Sequence, residues 1–177
     1  KLLYQYRAMG FEYFKEYMPL SQKENFALPR NLDELKNAVL KCHLCSLAKS
    51  RKNVVFGVGN LKADIMFIGD NPGVSEDETG EIFTGRAGEM LTKMIENVLH
   101  LKREAVYMAN IIKCKTPENR VPTPEEVSSC KPYLMQQIQT INPKIIVALG
   151  STSFHHLTGE YDTPIDKVRG VVMNFGK

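Results

Sequence analysis

Four cysteines are the residues of this chain whose type and spacing point most directly to chemistry. Cys42 and Cys45 form a Cys-x2-Cys pair, and Cys114 and Cys130 follow after a long gap. The first residues lack the order of a signal peptide, so we expect a cytoplasmic protein with reduced thiols. Four thiolates suit either tetrahedral zinc or a [4Fe–4S] cluster, and the spacing does not choose between them. A chance pair with two buried core cysteines is the plainer alternative.

The elements that must position these residues follow from the pattern of apolar residues. A continuous apolar run at 65–68 predicts a strand buried on both faces. Residues 106–112 predict a second buried strand and residues 144–149 a third strand, with helical spacing between them. Residues 171–175 predict a fourth strand. This alternation favours an α/β fold of three layers, α/β/α, with a central four-stranded parallel sheet. We assign this fold to residues 31–177, after an N-terminal helical extension and linker at residues 1–30.

Capping residues predict where two helices begin. Asn31 can cap a helix that ends near the Cys-x2-Cys pair, and Thr123 with Pro124 begins the helix that carries Cys130. In open parallel sheets, ligands bind beyond the carboxyl ends of the strands. That rule selects three segments, which are residues 70–73, 110–115 and 150–151.

Composition sets broad limits on function. The chain has 177 residues, 43% of them hydrophobic and 24% charged, which fits one globular domain with a sizeable core. It has no run of about 18 apolar residues, so we expect no membrane span. The net charge of +3 says little about partners. Two basic clusters are candidates for contact with nucleic acid, although a solvated surface is the better interpretation of charge alone: Lys49, Arg51 and Lys52, then Lys113, Lys115 and Arg120.

The motifs of the chain, taken in order, resemble those of the family 4 uracil-DNA glycosylases, the iron–sulfur branch of that superfamily. The resemblance covers about residues 40–175. It rests on CHLCSL at 42–47 with Arg51, VVFGVGN at 54–60, GDNPG at 69–73 with Glu76 and Asp77, FTGRAG at 83–88, NIIKCK at 110–115 with Asn119 and Arg120, CKPYL at 130–134 and PKIIVALG at 143–150.

This resemblance implies an enzyme of base excision repair that flips uracil out of single- or double-stranded DNA and hydrolyses its N-glycosidic bond. It implies a [4Fe–4S] cluster on the four cysteines, and so decides for iron over zinc. A monomer is expected. Phe83 is the platform on which the base stacks, and the amide of Asn110 reads the pyrimidine edge. The loop of Gly69, Asp70, Asn71, Pro72 and Gly73 brings backbone amides to the departing base.

The sequence departs from the family pattern in this loop. Family members usually read Gly-Glu-Ala-Pro-Gly, whereas this chain has Asp70 and Asn71 at the second and third positions. We therefore predict that these two are the catalytic residues. Either Asn71 holds the attacking water while Asp70 stabilises the sugar cation, or Asp70 does both. Glu76 could exclude thymine near the base C5, although a surface glutamate is the better default.

A second departure concerns the C-terminal side. The family carries a His-Pro-Ser segment after the fourth strand, and we do not find it here, so we expect a longer parent protein. We interpret His155 and His156 as packing or surface residues, because they lie outside any matching motif. Three other functions stay open: a non-catalytic iron–sulfur DNA-binding module, a relative that traps uracil DNA covalently, and an unrelated zinc-stabilised nucleotide hydrolase.

Overall fold

The computed structural model describes residues 28–175, so the predicted helix at 1–18 and most of the predicted linker lie outside the described residues. The strands are β1 (Val58–Gly59), β2 (Ile65–Gly69), β3 (Tyr107–Asn110) and β4 (Ile145–Ala148). The helices are α1 (Leu32–Leu40), α2 (Val74–Thr79), α3 (Arg86–Asn97), α4 (Pro124–Ile141), α5 (Ser151–Thr158) and α6 (Ile165–Val168). Short 3₁₀ turns lie at Ser46–Lys49, Arg103–Ala105 and Pro117–Asn119.

The sheet has the order β1-β3-β2-β4, and β2 pairs in parallel with both β3 and β4. The three strands predicted at 65–68, 106–112 and 144–149 are therefore confirmed, and they are neighbours that run parallel. Alternate residues of these strands face opposite layers. Met66 and Ile68 belong to the core shared with α1 and α4, whereas Phe67 packs in the core that includes Leu91 and Ile95 of α3. The sheet thus lies between two helical layers, as predicted.

The prediction that all four strands run parallel, with the fourth at residues 171–175, is wrong. Residues 171–175 form no strand and are exposed. The fourth strand is instead β1, which pairs antiparallel with β3. It lies so close to β3 that a Cβ atom on Gly59 would stand 2.0 Å from the carbonyl oxygen of Val106. Only glycine permits this approach, and a two-residue strand is too short to leave a periodic pattern.

Both predicted helix starts are confirmed. Asn31 Oδ1 accepts hydrogen bonds from the backbone N–H groups of Asp33 and Glu34 at 2.8 and 3.3 Å. At α4 the side chains of Thr123 and Glu126 each accept from the other's backbone N–H, at 3.3 and 2.8 Å. This reciprocal capping fixes where the helix that carries Cys130 begins. Across residues 28–175, none of the helices is both long and apolar enough to pass through a bilayer.

Candidate functional site

The ends of β2 and β3 bring the predicted base-binding residues together. Gly69 pairs with Asn110 in the sheet, and the N–H of Ile111 donates to the carbonyl of Gly69 at 2.8 Å. A Cβ atom placed on Gly69 would stand 2.6 Å from Asn110 Oδ1 and 3.0 Å from Phe83 Cζ. The aromatic ring and the carboxamide therefore both lie against Gly69 at the carboxyl end of the sheet, where the strand rule predicts a ligand.

The side chain of Asn110 carries an unusual cost. The residue is 2% exposed, and its Oδ1 is the one buried side-chain polar atom in residues 28–175 that has no hydrogen-bond partner. Leaving such an atom unpaired costs about 1–3 kcal/mol. An orphaned acceptor beside an aromatic ring is what a site that reads an N–H donor of a ligand requires, because the missing partner is then supplied by the ligand.

The turn that presents Phe83 is held by contacts from three directions. Phe83 has a positive φ of 53°, which is uncommon for a bulky residue. Glu76 Oε1 accepts from the N–H groups of Thr84 and Gly85 at 3.1 Å each, and Arg103 donates to the carbonyl of Phe83 at 3.3 Å. On the third side, a Cβ atom on Gly88 would lie 1.8 Å from that carbonyl oxygen, so only glycine fits.

Glu76 links this turn to the glycine loop after β2. Its second oxygen, Oε2, accepts from the N–H of Gly73 at 3.1 Å. One carboxylate therefore joins the loop at 69–73 to the turn at Phe83. The position predicted as a surface glutamate is in fact half-buried and makes three backbone hydrogen bonds. The predicted role in excluding thymine stays a prediction.

Asp70 is fixed by the first turn of α5. Its Oδ1 accepts from the backbone N–H of Ser153 at 2.8 Å and from the Ser153 hydroxyl at 2.5 Å. The N-cap of α5 is Gly150, which has no side chain to fill this role, so Asp70 satisfies a helix N–H from a distant segment. Its other oxygen has no hydrogen-bond donor among the described residues, and can serve a ligand.

Asn71 is held on its donor side. Its Nδ2 donates to the carbonyl of Pro72 at 3.1 Å and to Thr116 Oγ1 at 3.3 Å. Its Oδ1 has no donor in the described part of the chain. The backbone N–H groups of Asp70 and Asn71 likewise have no acceptor within residues 28–175, whereas that of Gly73 is taken by Glu76. Two of the loop amides are thus free for an anionic ligand, and the Gly73 amide is not.

The four cysteines line one cavity, as the sequence predicts. It lies between the end of α1, the start of α4 and the segment after β3, and Arg51 and Lys113 also line it. Arg51 Nη1 donates to Cys114 Sγ at 3.3 Å, and Arg51 Nη2 donates to the carbonyl of Cys42 at 2.6 Å. Among the described residues, no group of three or more Cys, His, Asp or Glu side chains is arranged to hold a metal ion.

The chemistry of this donor set fits a bound metal group. Burial raises the pKa of the Cys130 thiol to about 12, and burial also raises the pKa of Cys114. The free thiols of Cys114 and Cys130 therefore stay protonated, and a bound cation would hold these two as thiolates. Lys113 and Arg51 beside them supply positive charge that favours the thiolate form.

The predicted basic clusters do not form a common surface. Lys113 is 1% exposed, so both interpretations of its cluster are wrong for this residue: it is neither a candidate contact for nucleic acid nor part of a solvated surface. Burial lowers its pKa to about 8. Arg51 points at the cysteines, and Lys52 pairs with exposed Glu78 at 3.0 Å. Arg120 binds Glu126 through both nitrogens at 2.7 and 2.9 Å.

The two histidines of α5 make local contacts. His155 Nε2 lies 3.0 Å from the carbonyl of Thr163, and His156 Nδ1 lies 3.1 Å from the Tyr161 hydroxyl. Both are half-buried. Four residues that contact the site from distant segments were not predicted, because such contacts leave no local pattern in the sequence: Ser153, Arg103, Thr116 and Gln137. Gly88, which packs against the Phe83 carbonyl, does lie within a recognisable motif, FTGRAG.

Comparison with known proteins identifies relatives over most of the chain. The family model of the uracil DNA glycosylase superfamily matches residues 56–174. A type-4 uracil-DNA glycosylase of Saccharolobus solfataricus is 46% identical over 143 residues, 79% of this chain and 66% of the relative. Those of Archaeoglobus fulgidus and Thermotoga maritima are 43% and 45% identical, over 80% and 78% of this chain and 72% of each relative. The chain thus spans about two thirds of the length of its relatives.

Proposed function

Because the chain belongs to the type-4 branch of the uracil-DNA glycosylase superfamily, we propose that the protein containing it removes uracil from DNA by hydrolysing the N-glycosidic bond. The observation that carries this proposal is the unpaired Oδ1 of Asn110 beside Phe83 and Gly69. The substrate is DNA in single- or double-stranded form, and the product is an abasic site. We also propose that the protein acts as a monomer and in the cytoplasm, where reducing conditions keep cysteines out of disulfides and available to a cluster.

Recognition of the base follows from the donors and acceptors of uracil. A flipped uracil stacks on Phe83 and offers its N3–H to Asn110 Oδ1, while its O4 accepts from the amide nitrogen. Cytosine offers an acceptor at N3 and a donor at C4, the opposite pattern. With cytosine, Asn110 Oδ1 stays unpaired at N3, and this buried mismatch disfavours the wrong base.

Bond cleavage needs negative charge to be stabilised on the base and positive charge on the sugar. The N–H groups of Asp70 and Asn71, which are free of other acceptors within residues 28–175, stabilise the uracil anion. The carboxylate of Asp70 is held by Ser153 through one oxygen, which leaves the other for the sugar cation or the water. Asn71, held through Nδ2, similarly leaves Oδ1 for the water.

Two variants separate the alternatives for the attacking water. If Asn71 holds it, Asn71→Ala loses most of the single-turnover excision rate, about 100-fold by the usual scale for a misplaced nucleophile. If Asp70 does both tasks, Asn71→Ala keeps its rate and Asp70→Asn loses it. Unchanged excision in both variants removes the side chains of Asp70 and Asn71 from the mechanism and leaves this loop only its backbone N–H groups.

Cys42, Cys45, Cys114 and Cys130 would hold a [4Fe–4S] cluster, as the family resemblance implies. When bound, it supplies a cross-link between α1, the segment after β3 and α4. In this proposal the groups that contact the base and the attacking water are the chain's own residues Asp70, Asn71, Phe83 and Asn110. Iron and zinc analysis with an absorption spectrum tests the assignment. Iron with a brown chromophore, lost in Cys130→Ser, supports it, while a colourless zinc protein contradicts it.

The activity is tested on end-labelled oligonucleotides with a single uracil, in single- and double-stranded form. The expected result is an alkali-labile break at the uracil, with no break in matched cytosine or thymine controls. Binding without a break would indicate a non-catalytic DNA-binding module. A protein–DNA band that resists denaturant would indicate covalent trapping.

A further inference from the structure

We infer that Lys113 is a positioning residue that couples the four-cysteine site to the base-reading end of β3. This inference rests on the proposed function. Lys113 lies next to Cys114 in the chain, and its ammonium reaches back to the backbone of Asn110. The same side chain therefore contacts the strand end that presents the reading amide while it lines the cysteine cavity.

The contacts of Lys113 place its ammonium within narrow limits. The residue is 1% exposed, and Nζ donates to the carbonyl of Asn110 at 2.9 Å and to Gln137 Oε1 at 2.6 Å. Gln137 is itself fully buried, and its Nε2 donates to the carbonyl of Phe56 at 3.0 Å and to the Tyr107 hydroxyl at 3.1 Å. The amide oxygen of Gln137 must therefore face the ammonium, because its nitrogen is committed elsewhere.

The charge of Lys113 has no acidic partner among the described residues. Both of its acceptors are neutral, and the salt bridges in residues 28–175 involve other side chains. A buried ammonium without compensation is costly. The four cysteines are the source of negative charge beside it, because the backbone N–H of Lys113 donates to Cys130 Sγ at 3.3 Å and Lys113 lines the cysteine cavity. Four thiolates carry more negative charge than a bound dication cancels. The net negative charge of the loaded cysteine site and the positive charge of the ammonium would therefore compensate each other in a buried region.

The consequence is a link between two sites that the mechanism treats separately. The negative cysteine site holds the ammonium in place, and the ammonium holds the carbonyl of Asn110. Asn110 presents its side chain to the space beside Phe83. Removing the charge of Lys113 should therefore change both the reduction potential of the cluster and the rate of base excision, with little effect on the affinity for DNA.

The test compares Lys113→Met, which keeps the length of the side chain, with Lys144→Met, which removes an exposed lysine that does not line the cysteine cavity. The full-length, cluster-loaded protein is used for both. We expect Lys113→Met to shift the cluster potential to more negative values and to speed its bleaching by ferricyanide several-fold. We expect excision to fall at least tenfold with DNA affinity changed less than twofold, and Lys144→Met to match the parent protein.

The outcomes separate this inference from the proposed function. A parent protein without iron or excision contradicts the proposed function. A parent with both, and a Lys113→Met variant with unchanged potential and excision, overturns the inference. If Lys113→Met fails to fold or to load iron, Gln137→Leu decides when compared with Tyr107→Phe, because both lose the Gln137–Tyr107 hydrogen bond but only Gln137→Leu removes an acceptor of the ammonium while keeping its charge. Slower excision at an unchanged potential supports the inference, and excision at the parent rate overturns it.

Discussion

Gly69→Ala tests the base-binding space with the smallest possible change. Gly69 has a φ outside the left-handed region, so alanine is compatible with its backbone. The added methyl would stand 2.6 Å from Asn110 Oδ1 and 3.0 Å from Phe83 Cζ. Carbon atoms prefer separations of about 3.5–4.0 Å, so both side chains must move outward and the methyl occupies part of the space for uracil.

The expected loss follows from this displacement. Overpacking at a strand end costs about 1–3 kcal/mol of unfolding free energy, which a stable domain survives. A base displaced by roughly 1 Å from its reactive geometry loses about 100-fold in rate. We therefore expect single-turnover excision to fall by about 100-fold or more, while the far-ultraviolet circular dichroism spectrum stays that of the parent protein.

Gly85→Ala is the matched control. Gly85 lies in the Phe83 turn, but its added methyl would meet Glu76 Oε1 at 3.5 Å, an ordinary contact. This variant should excise uracil within about threefold of the parent rate, because the base-binding space is unchanged. Parent-like excision by Gly69→Ala, in protein that is folded and saturated with DNA, would refute the placement of uracil beside Gly69.

Three further predictions follow from individual contacts. Asn110→Ala removes an unpaired atom, so the free energy of unfolding in urea should change by less than about 1 kcal/mol, while the excision rate falls at least 100-fold. Excision at the parent rate would contradict the role of Asn110 in reading the base. Glu76→Ala releases the Phe83 turn and should slow excision about tenfold, whereas Glu78→Ala on the exposed side of the same helix should not. The Arg120 guanidinium, with the capping N–H of Thr123, holds the pKa of Glu126 at about 2, below its ordinary 4.5. Ionised Glu126 therefore stabilises the fold by roughly 2–3 kcal/mol above pH 4.5, and this is lost as the pH falls towards 2. Glu126→Gln should match the parent's unfolding free energy only at the acid end of that range, and a constant difference across it would contradict the ion pair.

Several elements of this protein could be predicted because their signals are local. β2, β3 and β4 lie in segments that are mostly apolar, and their parallel pairing follows from the helices between them. Thr123 and Asn31 cap helices through atoms two or three residues away, so their roles are written in short segments. The meeting of Asn110 with the glycine loop followed from the rule that parallel strands gather loops at one edge, whereas Phe83 was expected there only from the family resemblance.

Other features depended on contacts between distant segments. The burial of Lys113, the hold of Ser153 on Asp70 and the bridge that Glu76 makes to the Phe83 turn have no local signature. The sequence does not distinguish a charged residue that faces water from one that lines a buried cavity of cysteines. Likewise, residues 171–175 have the composition of a strand, but they lie exposed while two residues between glycines pair with β3.

The sequence by itself thus determined the three parallel strands, the starts of the two capped helices and the chemical types present at the carboxyl edge of the sheet, but not the antiparallel strand β1. Only the tertiary structure decided which polar side chains bind ligands and which bind the protein's own backbone. The physical reason is that hydrogen bonding of buried groups is settled by whichever partners packing brings within about 3 Å, and packing joins residues that the chain separates by tens of positions.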